Sequence, residues 1–170
     1  MGRREDFASL INSTRPEGAE TLLDLGCSDG QKIAHIGAGL KITGVEGCSQ
    51  TAFAAAEILH HAVNMDYRNF LAGCQNESYD WITMLDTLEH VTKKDAREVM
   101  GNLKRVARMG FTLYVPEGAV GDNPWDEGYN RHLAHWFMND WASFDVNVMV
   151  LPDEHGAGKN AFLVTWRRNP

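Results

Sequence analysis

The chain is poor in the features that would mark it for an oxidising compartment, a membrane or a nucleic-acid partner. Its three cysteines, Cys27, Cys48 and Cys74, are odd in number, widely spaced and without a C-x-x-C pair. They read as free thiols in a reducing compartment, not as a disulfide framework. No apolar run approaches the ~20 residues that a membrane helix needs. The opening Met1-Gly2-Arg3-Arg4-Glu5-Asp6 leads into no apolar h-region, so no secretory signal is read there. The Met-Gly start is shared with myristoylation signals, yet Asp6 stands where Ser or Thr is required. These absences predict a cytoplasmic protein with no membrane partner. Positive charge is also scarce. Lys and Arg number 16 against 23 Asp and Glu, a net charge of −7, which argues against a phosphate backbone as the main partner.

What is present is ordinary for a soluble globular chain: 44% hydrophobic and 23% charged residues over 170 positions. That length predicts one domain with a substantial core. We expect a helix and lead-in over residues 1–20 and the core over 21–166.

The most informative stretch is Thr21-Leu22-Leu23-Asp24-Leu25-Gly26-Cys27-Ser28-Asp29-Gly30. A short apolar run, a strand in length, breaks at small residues and enters a segment carrying Ile33 and Ile36 on one helical face. A strand turning sharply into a helix N-terminus presents free N–H groups and the positive end of a dipole. Such a turn can hold a nucleotide or another polar cofactor. The spacing Gly26-x-Ser28-x-Gly30 is not the G-x-G-x-x-G of a dinucleotide site. Asp24, at the strand end, would repel a pyrophosphate and suits a ligand carrying positive charge.

The remaining elements alternate. A helix is expected over 4–13 with Phe7, Leu10 and Ile11 inward, a helix over 29–37 and a strand over 41–46. Ser49 is a candidate N-cap for a helix running to His61, followed by a short strand over 62–66. Residues 79–85 form an almost wholly apolar strand, as expected of one buried on both faces. A helix over 92–109 carries Ala96, Val99, Met100, Leu103 and Val106 at helical spacing. Its Lys93, Lys94, Arg97, Lys104, Arg105 and Arg108 read as a solvated face, because Asp95 and Glu98 interrupt them. A strand over 111–115 is followed by a loop over 117–130 and a Trp-rich helix over 131–141. Trp136, Phe137 and Trp141 are expected in the core. The alternation from Phe144 to Val150 and the strand over 161–166 predict an antiparallel hairpin. Five strand–helix units ending in a hairpin make an α/β fold with a mostly parallel sheet.

These residues resemble a class I S-adenosylmethionine (SAM)-dependent methyltransferase. Leu23-Asp24-Leu25-Gly26-Cys27-Ser28-Asp29-Gly30 is similar to that family's first motif, Gly44-Val45-Glu46-Gly47 to its second and Asn64-Met65-Asp66 to its third. Tyr79 to Val91, with its trailing Leu88-Glu89-His90, is similar to the fourth-strand motif. Ser28 departs from the glycine common in relatives, and a serine still accommodates a tight turn. The resemblance spans about residues 20–166 and implies a three-layer Rossmann-like sandwich with a seven-stranded sheet.

The same resemblance implies that SAM is the cofactor and assigns its contacts. Asp24, Gly26, Cys27, Ser28 and Gly30 would surround the methionine portion, Asp24 through water on the ammonium group. A carboxylate bonded to nearby backbone amides is the competing reading of Asp24. Glu46, with Gly47 beside it, lies about 20 residues beyond the turn, where a carboxylate can accept from both ribose hydroxyls. Asp66 would meet the adenine amine, or else cap a helix. Leu85 would offer its backbone carbonyl to the ammonium.

The reaction would be an in-line displacement at a sulfonium methyl, driven largely by alignment. A base is needed only if the nucleophile must lose a proton. His90 and Asp86 are the candidates, against loop-stabilising and capping roles. His132 and His135, three apart on the expected helix, could with Trp125 and Tyr129 line an acceptor pocket. Two imidazoles with no third ligand in view do not make a metal site. Asp122-Asn123-Pro124-Trp125 resembles the motif of amino-methylating DNA enzymes only by accident, with one proline and after the wrong strand.

The expected activity is methyl transfer to an O or N acceptor on a small molecule or sugar. With almost no insertion beyond the core, the acceptor site should be open or completed by a second copy of the chain. A non-catalytic SAM-binding module, or a partner subunit of a larger methyltransferase, is the alternative.

Overall fold

A computed structural model describes residues 3–118, 131–152 and 160–169 of the chain. The helix α1 (Arg3–Ser13) leads into β1 (Thr21–Leu25), α2 (Gln31–Ile36), β2 (Lys41–Glu46), α3 (Ser49–Ala56) and β3 (His61–Asn64). Then come α4 (Tyr67–Gly73), β4 (Tyr79–Leu85), a 3-10 turn at Leu88–His90, α5 (Lys93–Val106) and β5 (Ala107–Pro116). A 3-10 stretch at Met138–Ser143 precedes β6 (Asn147–Pro152) and β7 (Asn160–Arg167).

The seven strands form one sheet in the order β3-β2-β1-β4-β5-β7-β6. The first five strands in that order run parallel, and β7 is antiparallel to both of its neighbours. This is the expected α/β arrangement with its terminal hairpin. The strand order reverses between β1 and β4, and open sheets of this kind bind ligands beyond the C-terminal strand ends at that point.

Side-chain alternation along the strands divides the core between the two faces. Leu23, Leu25, Ile82, Met84, Phe111 and Leu113 pack under α5, whose Ala96, Val99, Met100, Leu103 and Val106 are all buried as the stripe predicts. Leu22, Trp81, Tyr114 and Leu163 face the other way, onto Ile11, Ile33 and Ile36. Asp24 shares that second face with Leu22, in register with Thr83 of β4.

Several element boundaries differ from expectation, each for a backbone reason. Residues 131–137 are not helical. The N–H groups of Leu133 and Ala134 donate to the Glu89 carbonyl, and the Trp136 carbonyl accepts from Gly118 N–H at 2.8 Å. Those groups are thereby lost to helical bonding. Only Met138–Ser143 closes into 3-10 turns. Trp136 and Trp141 are buried as expected, stacked at 4.6 Å. Phe137 is not in the core but 52% exposed, on a segment whose register turns it outward.

Helix α5 ends three residues early because Ala107 pairs with Tyr79 and so joins the sheet. Helix α3 stops at Ala56 with Cys48, not Ser49, at its N-cap, and β3 begins at His61, paired with Thr43. The short α4 has no counterpart in the sequence reading. The basic residues of α5 are largely tethered, not merely solvated. Lys93 pairs with Asp140, Lys104 with Asp145, and Arg105 donates to the Leu71 and Cys74 carbonyls.

Candidate functional site

The turn after β1 is shaped by close approach. Gly26 has φ +76°, and a Cβ placed there would lie 2.5 Å from Thr87 Oγ1. Only glycine satisfies both conditions without strain. Thr87 in turn donates to the Leu85 carbonyl at 3.0 Å, which fixes the hydroxyl that packs against Gly26 at the end of β4. Ser28 and Gly30 are also left-handed, with φ of 50° and 80°.

Cys27 turns away from this surface. Its sulfur packs against Gly44, where a Cβ would come within 2.6 Å, and burial pushes its thiol up to about 12. The thiol is an inert wall.

Glu46 ends β2 beside the turn. One carboxylate oxygen accepts from Ser28 N–H at 2.9 Å, the other from Cys48 N–H at 2.8 Å. Asn64 Nδ2 donates to the carbonyls of Glu46 and Gly47, at 2.9 and 3.0 Å. The acid is therefore fixed at the edge of the crevice, with lone pairs left over for a ligand.

Asp24 lies beneath the turn, 5% exposed, and accepts a 2.6 Å hydrogen bond from Thr83. Burial raises its carboxyl to about 7; the Thr83 bond and the charge of Lys32 oppose that rise. A carboxyl in this state gains from a cationic ligand, which replaces lost hydration. The competing expectation, bonds from Asp24 to backbone amides, is not what holds it here.

Asp66 caps α4. It accepts from Arg68 N–H at 2.8 Å and is paired with the Arg68 guanidinium at 2.6 Å. That bonding holds its carboxyl below the usual range, against the effect of burial. The capping role is realised, and an adenine contact would have to use what lone-pair capacity remains. Asp86 follows β4 in a left-handed conformation, φ 52°, with Lys32 Nζ 3.2 Å away.

The trailing Leu88-Glu89-His90 turn lies at the same sheet edge. Leu88 is buried, and so is Glu89, at 3% exposure. Burial, followed by the charge of Asp86, raises the Glu89 carboxyl to about 8. The His90 ring is half-buried, which lowers its pKa and keeps it neutral, and its Nδ1 lies 3.2 Å from the Arg131 carbonyl. His132 packs edge-on against it, ring centroids 4.8 Å apart. The structure thus brings His132 to His90 and Glu89, whereas the sequence spacing paired it with His135. Trp125 and Tyr129 lie outside the described residues.

Thr83, Thr87, Lys32 and Glu89 were missed by sequence reasoning. An acid set between apolar residues, as Glu89 is between Leu88 and Val91, was the one signal available.

Comparison with known proteins bears on the family and the fold. Residues 23–115, more than half of the chain, match the methyltransferase-domain family. The chain belongs to that family. The resemblance expected from the motifs is therefore borne out.

The chain is 32% identical over 111 residues to a ubiquinone biosynthesis O-methyltransferase from Hahella chejuensis, a match covering 61% of this chain and 44% of that protein. It thus spans less than half the length of that relative. In fold it is similar to a SAM-dependent methyltransferase from Archaeoglobus fulgidus, with TM-score 0.72 at 13% identity, covering 98% of this chain and 95% of that one. It is also similar to magnesium protoporphyrin IX methyltransferase from Synechocystis PCC 6803 with SAM bound, with TM-score 0.67 at 14% identity, covering 98% and 78%.

Proposed function

We propose that this methyltransferase-family chain binds SAM across the β1–β4 crevice and transfers its methyl group to an O or N acceptor on a small molecule or sugar. The observation that carries the reading is the place of Asp24, a carboxyl buried beneath a glycine turn and bonded to Thr83, whose ionised form would repel a pyrophosphate and attract an ammonium. SAM, when bound, supplies an already activated methyl on a sulfonium. Glu46, fixed by Ser28 and Cys48, would accept from the ribose hydroxyls, with Gly47 beside it. Gly26, Ser28 and Gly30 let the ligand approach the backbone, and Cys27 contributes its backbone to the turn.

The Leu85 carbonyl, already engaged by Thr87, keeps a second lone pair for the ammonium. His90 and Asp86 flank the acceptor side, and the neutral His90 imidazole is able to take a proton. Alignment of acceptor and methyl supplies most of the acceleration. An O acceptor is favoured over N because the curated relative is an O-methyltransferase. Trp125, Tyr129, His132 and His135 remain the proposed acceptor lining, in a site open to solvent or completed by a second copy of the chain.

Calorimetric titration with SAM, S-adenosylhomocysteine and NAD tests the cofactor. Binding of the first two and not of NAD is expected, weakened at least roughly tenfold in Glu46→Ala, the loss of about 1.4 kcal/mol. NAD binding alone would overturn the reading. Labelled-methyl transfer to panels of hydroxyl and amine acceptors then tests the reaction class.

A further inference from the structure

Glu89, His90 and His132 form a group outside the proposed cofactor contacts. Its members come from two distant stretches of chain. The Glu89 carbonyl accepts from Leu133 and Ala134 N–H, at 2.8 and 3.0 Å, and so anchors the segment that carries His132. As a result the ligand-capable atoms of Glu89, His90 and His132 all lie within 4.8 Å of one another.

Two independent features point to an ion. Glu89 is 3% exposed, and its Oε2 is buried without a hydrogen-bond partner. An unsatisfied buried oxygen of this kind costs roughly 1–3 kcal/mol, and more when charged. Second, the Arg131 carbonyl lies 3.2 Å from His90 Nδ1. A backbone carbonyl in that position fixes the ring and its tautomer, as behind metal-bound imidazoles, and leaves Nε2 as the donor atom.

We propose that Glu89, His90 and His132 bind a divalent transition-metal cation of the zinc class. Bonds of about 2.0–2.2 Å require the three donors to close in. His132, half-exposed on a non-helical segment, is the member whose side chain would turn inward. Two imidazoles and one carboxylate are donors for Zn2+ or Co2+, not for Mg2+. Three protein ligands leave a coordination position open, the arrangement of catalytic rather than structural sites. Cation binding stands apart from the methyltransferase reading; its role rests on that reading. There the cation would acidify an acceptor hydroxyl, whose proton passes to solvent, and His90 would be a ligand and not a base.

The test titrates chelator-treated protein, without SAM, with Co2+ followed by visible absorption and with Zn2+ followed by calorimetry. One Co2+ per chain with a d–d band, displaced by Zn2+ and not by Mg2+, is the expected result. Glu89→Gln, which keeps the shape of the buried side chain, and His132→Ala should each weaken binding more than about tenfold. His35→Ala, on the exposed side of α2, should not. Circular dichroism and SAM affinity establish that the variants are folded. No band in the parent protein, a sulfur-to-cobalt charge-transfer band, or undiminished binding in both variants would overturn the site. Cation binding without SAM binding would refute the proposed function and leave this site standing.

Discussion

Asp24 and Asp80 are each 5% exposed, but Asp24 is enclosed far more deeply, and they sit at opposite ends of the parallel sheet in opposite states. Asp80, at the N-terminal end of β4, accepts from Glu20 N–H, from Thr21 N–H and Oγ1, and from Arg108 at 2.6 Å. Burial works to raise its carboxyl, but those donors outweigh it and hold the pKa below the ordinary value. Asp24, at the C-terminal end of β1, has one hydroxyl donor and rises to about 7. The first acid is saturated and fastens strands together. The second accepts from the Thr83 hydroxyl, and burial governs its titration. Buried charge serves structure at one edge of this sheet, and at the other it stands where we propose that the cofactor binds.

The comparison breaks most sharply at Asp24→Asn. An acid raised from 3.8 to about 7 keeps a proton in the folded state that the unfolded chain has lost, so stability falls as pH rises through that window. Removing the charge should recover up to roughly 4 kcal/mol above pH 7 while weakening SAM binding. Thermal melts at pH 5 and pH 8 check it; equal slopes in parent and variant would contradict it.

Asp80→Ala should do the reverse, losing roughly 3 kcal/mol by stranding the Glu20 and Thr21 amides while leaving SAM affinity near normal in the folded fraction. Its carboxylate, held below 3.8, contributes stability that is present above that value and lost as pH falls below it. Urea unfolding at pH 7 and pH 3 reads both. The smallest effect belongs to Lys32→Met. Its pair with Asp86 is 3.2 Å long but 54% exposed on the lysine side, so the cost is under about 1 kcal/mol. A larger loss would mean that the Lys32–Asp86 pair organises the crevice.

The mostly parallel sheet with its terminal hairpin was legible because strands and helices alternate along the chain until the last two strands, and the α5 stripe is periodic. Glu46 was legible because its distance from the glycine turn is a matter of spacing. The helix expected over 131–141 failed because its amides are claimed by Glu89, 44 residues before Leu133, a long-range competition that no local pattern records. Helix α4 was missed although Tyr67, Phe70 and Leu71 form a stripe packed on the core, because seven residues are too few for a helical period to stand out. The state of Asp24 was half legible. Its sequence position said that an acid stood at the turn, but the burial that raises it depends on Thr83 and the packed face around it.

SAM affinity measured by calorimetry from pH 5.5 to 7.5, in the parent and in Asp24→Asn, tests the central claim most directly. Affinity should rise with pH as Asp24 gives up its proton, with a weaker, flat profile in the variant. An affinity independent of pH in the parent, or unchanged by the substitution, would contradict it.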